Sequence, residues 1–179
     1  MQLNRPSYVW FGVAALQSFF SFTFALGSAI VYNQCEIDVY YKVISTFEEN
    51  YSVICETGIQ IPYSLPGLGV SVKLSLQNDS IQEAITQFEY TRGGGPSVPS
   101  VAYDLSNIDG DPFSVQGYPF AQCGLALQPS TANSSQYPLC NSIICPPGIA
   151  FCPAAYNLWN DTRTLTCSED TNLTLFICP

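Results

Sequence analysis

Histidine is absent from the 179 residues. That removes Ser-His-Asp and Cys-His catalytic arrangements, an imidazole base near neutral pH, and the commonest zinc ligand. Any proton chemistry therefore falls to carboxylates. Basic residues are scarce too: 5 Lys and Arg stand against 14 Asp and Glu, giving a net charge of -9. A chain this acidic repels phosphate backbones and anionic lipid, so nucleic acid is not an expected partner. No C-x-x-C pair occurs. Without histidine this leaves no usual metal spacing, and neither a metal nor another cofactor is expected. Charged residues are only 11% against 47% hydrophobic, which predicts a packed core rather than disorder. The length fits one domain.

The beginning of the chain has the order of an export signal. Arg5 is the only early charge, residues 9–25 are almost entirely apolar, and the small residues Ala25, Gly27, Ser28 and Ala29 follow. This predicts a signal peptide over residues 1–27 and a folded domain over residues 28–179, hence a secreted, extracellular protein. Gln17 and Ser18 interrupt the apolar stretch, which falls short of the ~20 residues that span a bilayer. Stable membrane insertion after cleavage is not expected.

All eight cysteines lie beyond that site: Cys35, Cys55, Cys123, Cys140, Cys145, Cys152, Cys167 and Cys178. An even count behind an export signal reads as a disulfide framework, whose pairing sequence alone does not choose. Five N-x-[ST] sequons, at Asn50, Asn78, Asn133, Asn160 and Asn172, predict surface asparagines that can carry glycan.

Short β-type segments broken by Gly, Pro, Asn and Ser fill most of the domain. Residues 29–32, 39–44, 51–55 and 58–61 carry Ile, Val and Tyr runs, and residues 62–69 are turn-rich. Residues 70–76 alternate, with Val70, Val72, Leu74 and Leu76 opposite Ser71, Lys73 and Ser75, the pattern of a half-buried strand. Residues 80–85 can start a helical turn. In residues 86–91, Phe88 and Tyr90 oppose Gln87, Glu89 and Thr91; in residues 101–106, Val101, Tyr103 and Leu105 oppose Ala102, Asp104 and Ser106. Residues 107–112 form a turn cluster. Residues 117–157 hold four of the eight cysteines and six prolines, and read as a stapled irregular lobe. Residues 165–167 and 172–178 return as strands. Strand after strand without a long helix predicts an all-β sandwich.

Three segments resemble the thaumatin-like family. They are Ala29-Ile-Val-Tyr-Asn-Gln-Cys35; Gln87-Phe-Glu-Tyr-Thr91 with Tyr103-Asp-Leu-Ser-Asn-Ile-Asp-Gly110; and Cys152-Pro-Ala-Ala-Tyr156, Thr164-Leu-Thr-Cys167 and Leu173-Thr-Leu-Phe-Ile-Cys-Pro179. Order and spacing agree over most of the domain, although residues 36–86 match poorly. The chain looks most like the small fungal antigenic thaumatin-like proteins. The resemblance implies a thaumatin-like β-sandwich with a small disulfide-stapled irregular lobe. It also implies the disulfides Cys35–Cys178 and Cys123–Cys167. Cys55, Cys140, Cys145 and Cys152 stay unassigned, with Cys152 expected to reach Cys140 or Cys145.

Glu89 and Asp104 are the leading site candidates. Alternation puts each on the polar face, and pairing of their strands would place both carboxylates together. In the family this face lines an acidic cleft, to which Asp109 and Asp111 add negative potential. The family's basic strand signature is missing, leaving only Lys73 in its place. Asn107, Asp109 and Asp111 gather hard oxygen ligands but lack an EF-hand spacing, and a plain turn is expected. Tyr118, Tyr137, Tyr156 and Trp159 can stack on sugars, though packing is the expected role. The resemblance implies a monomeric, cell-wall-associated binder of β-glucan. The alternatives are a β-1,3-glucanase using the paired carboxylates, and an antimicrobial or host-interaction protein.

Overall fold

In a computed structural model of the protein, residues 25–45, 49–54, 58–63, 65–77, 84–93, 99–131 and 133–179 are described. The export segment up to residue 24, the turn expected over residues 80–85 up to residue 83, Cys55 and Asn78 lie outside them. The predicted cleavage point falls where the first strand begins. Among the described residues no helix is long and apolar enough to cross a membrane.

The described residues form eleven strands: β1 (Ser28–Asn33), β2 (Val39–Ser45), β3 (Glu49–Ile54), β4 (Ile59–Pro62), β5 (Gly69–Ser75), β6 (Thr86–Arg92), β7 (Ser100–Ser106), β8 (Leu125–Pro129), β9 (Ile143–Cys145), β10 (Leu165–Ser168) and β11 (Leu173–Ile177). A 3-10 turn spans Ile108–Gly110. One sheet has the order β4-β1-β11-β8-β9 and the other β10-β7-β6-β5-β2-β3. The first strand runs parallel to the last, Val31 opposite Leu175, so the two ends of the domain share the middle of one sheet.

Alternation explains the two layers. Val31, Leu125, Leu127, Leu173 and Leu175 from one sheet, and Val70, Val72, Leu74, Phe88, Val101, Tyr103 and Leu105 from the other, are all buried. Each such large aliphatic or aromatic side chain contributes about 1.5–3 kcal/mol on leaving water. Buried phenols are anchored: Tyr63 Oη donates to Thr171 O at 2.6 Å and Tyr103 Oη to Asn141 O at 2.6 Å.

Residues 117–157 are not an irregular lobe throughout. Two of their segments, β8 and β9, are strands of the five-stranded sheet, and β8 lies beside β11 with Leu127 opposite Leu175. Flanking prolines and the short apolar run Leu-Ala-Leu mask the strand period there.

The disulfides bear out Cys35–Cys178, which closes the parallel pairing of β1 and β11. Cys123–Cys167 is overturned: Cys167 bonds Cys140, and Cys145 bonds Cys152. Antiparallel pairing sets Leu125 opposite Ile177, so Cys123, just ahead of β8, lands beside Cys178, just past β11. The sulfurs of Cys35, Cys123 and Cys178 lie within 4.8 Å of one another. Cys167 belongs to the other sheet, on β10, where its side chain is buried against the Tyr103 hydroxyl.

Candidate carbohydrate-binding face

The outer face of the six-stranded sheet carries the candidates. Antiparallel register sets Ile44 opposite Ser71, Ser71 opposite Glu89, and Glu89 opposite Asp104. Glu89 and Asp104 are direct cross-strand neighbours, both half-buried. The adjoining register row, Gly69, Thr91 and Ala102, has short side chains. A cavity of about 540 Å³ opens over both rows, bounded also by Ile44, Ser71 and Thr164. The volume is in the range of small-ligand sites.

Two carboxyls this close cannot both ionise readily. Burial, and then the Glu89 charge, push Asp104 up to about 7. Glu89 is raised as well, chiefly by burial, while the hydrogen bond with Asp104 and the Lys73 charge pull against the rise. Asp104 Oδ1 is buried and has no hydrogen-bond partner among the described residues. The raised position of both carboxyls favours a proton on the pair, and one on this oxygen, given to Glu89, would satisfy it. Asp104 Oδ2 accepts from Thr164 Oγ1 at 3.4 Å, and Thr164 Oγ1 bonds Tyr156 Oη at 2.8 Å.

The other acidic candidates separate. Asp109 joins the face: its Oδ2 accepts from Gln87 Nε2 at 3.2 Å and lies 3.8 Å from Lys73 Nζ. Asp111 takes the exposed left-handed end of the 3-10 turn, at φ 49°. No bond among the described residues joins it to the pair. Asn107 is buried and its side chain accepts from Thr86 Oγ1, so these three residues do not converge as a cation site.

Of the aromatic candidates, Tyr156 reaches the face through Thr164, Tyr118 is buried, Tyr137 Oη donates to Pro99 O, and Trp159 is 86% exposed. The sequon residues Asn133 and Asn160 are exposed. Asn172 is half-buried, with its Oδ1 accepting from Ser28 N, and Asn50 lies on the edge strand β3. Sequence reasoning missed Lys42, directly opposite Lys73, and Thr164. Lys42 shares its strand face with Tyr40 and Ile44, opposite Tyr41 and Val43; nothing local marks Thr164.

Two packed sheets, stapled by disulfides and bearing an acidic pair on an open face, define a thaumatin-like protein. The chain belongs to the family described as Bys1, Blastomyces yeast-phase-specific protein, whose pattern matches residues 16–179. An antigenic thaumatin-like protein of Arthroderma benhamiae is 34% identical over 158 residues, covering 86% of this chain and 71% of the relative. The fold is similar to that of the protein elicitor MoHrip2 from Magnaporthe oryzae (TM-score 0.64, 18% identity, 86% of this chain and 99% of that one). It is also similar to the thaumatin-like xylanase inhibitor TLXI (TM-score 0.50, 12% identity, 84% of this chain and 99% of that one).

Proposed function

We propose that this is a secreted, cell-wall-associated protein that binds β-glucan, without cleaving it, on the face of Glu89 and Asp104. The observation that carries the reading is the carboxyl pair, direct cross-strand neighbours in the lining of an open cavity. It offers a donor and several acceptors to sugar hydroxyls. The apolar start, and disulfides that need an oxidising compartment, support export.

Hydrolysis is disfavoured by the same geometry. Glycosidase carboxyls flank the scissile bond, far enough apart to admit a sugar between them, whereas these two are direct cross-strand neighbours on one face. A host-interaction role has separate support in the antigenic relative of Arthroderma benhamiae, and such a role does not require the carboxyl pair.

The test is a pull-down of wild type and a Glu89→Gln/Asp104→Asn variant on insoluble β-1,3-glucan, with the supernatant assayed for sugar. Retention of wild type alone, without sugar release, supports the reading. Sugar release that the variant loses would instead make the protein a glucanase, and failure of both proteins to bind would remove the glucan reading.

A further inference from the structure

A second cavity, of about 400 Å³, opens next to the first, and Thr164 lines both. One wall comes from the loop entering β10, with Arg163, Thr164 and Leu165; the facing wall comes from residues 139–143, with Asn141 exposed at its rim. The facing wall is held firmly. Tyr103 Oη donates to Asn141 O at 2.6 Å and accepts from Asn141 N at 3.1 Å, and the neighbouring Cys140 is bonded to Cys167. The loop wall is pinned at its start, where Asp161 Oδ2 accepts from Asn157 N at 2.8 Å and Leu158 N at 3.0 Å.

The two cavities differ in their charged groups. The first carries the Glu89 and Asp104 carboxyls beside Ile44, Val70 and Ala102. The second has an apolar lining of Ile143, Ala154 and Leu165 and a rim of Arg163 and Asn141 donors. A pyranose ring offers apolar C–H faces and a girdle of hydroxyls, which suits such a groove. A net charge of -9 with the acidic pair alongside disfavours an anionic polysaccharide.

We infer that the two cavities form one groove across Thr164 that takes a linear neutral glucan of several sugar units, with Arg163 and Asn141 donating to the units beyond the carboxyl pair. This rests on the glycan-binding reading above and adds the ligand's length and direction.

Calorimetric titration with laminaritriose and laminarihexaose tests it. The wild type binds the hexaose about tenfold tighter than the triose, a gain equal to about 1.4 kcal/mol. In Arg163→Ala, and in Ser142→Trp, which fills the groove from its exposed rim, the ratio falls toward one. Equal affinity of the wild type for both sugars, or a ratio preserved in both variants, would overturn the extended groove while leaving glycan binding at the carboxyl pair intact. Absence of binding to either sugar would overturn both.

Discussion

Asp104 carries the most exacting prediction at the scale of single residues. In the unfolded chain its carboxyl loses its proton near pH 4. In the fold burial and Glu89 keep it protonated up to about 7. Between these values the folded form binds more protons than the unfolded one, so stability falls as pH rises from about 4 to about 7 and levels off above. Replacing Asp104 by Asn should flatten this slope, by about 1–2 kcal/mol once solvent screening of a half-buried group is allowed for. Thermal melts of both proteins across that range check it; an unchanged slope in the variant would contradict the raised Asp104 carboxyl. Gly124 is the second sensitive residue. At φ 84°, an added Cβ would lie 2.6 Å from Cys145 O. Gly124→Ala should therefore destabilise by about 1–3 kcal/mol in denaturant titrations. Glu89 and Asp104 were legible in the sequence because each alternates with buried aromatic or aliphatic neighbours. Thr164 was not, since only the docking of β10 beside β7 brings it to Asp104.

Among the elements, legibility followed periodicity. β5, β6 and β7 alternate cleanly, and their register follows from their burial pattern. β8 and β9 were hidden, because Leu125, Ala126 and Leu127 are all buried and leave no polar phase to read. The implied Cys123–Cys167 bond failed for the same reason. Without β8 in the sheet, nothing indicated that Cys123 arrives beside Cys178, or that Cys167 faces Cys140. Peptide mapping of the unreduced protein should recover Cys140–Cys167 and Cys145–Cys152 fragments; a Cys123–Cys167 fragment would contradict this layout. Cys140 and Cys167 enclose 27 residues of separation. Replacing both by Ser should cost about 2–4 kcal/mol on the chain-entropy account of cross-linking. It should also loosen the wall at Asn141.

The whole molecule couples a rigid sandwich to a face on which two acids are direct cross-strand neighbours. The core of both sheets and the parallel pairing of the chain's two ends keep that face fixed. An open groove on a fixed sheet suits recognition of an extended polymer with little reorganisation on binding. The measurement that tests this most directly is hydrogen–deuterium exchange with and without laminarihexaose. The account predicts slower exchange at β6, β7 and the loop leading into β10, the backbone around Glu89, Asp104 and Thr164. Protection confined to other strands, or none at saturating sugar, would contradict it.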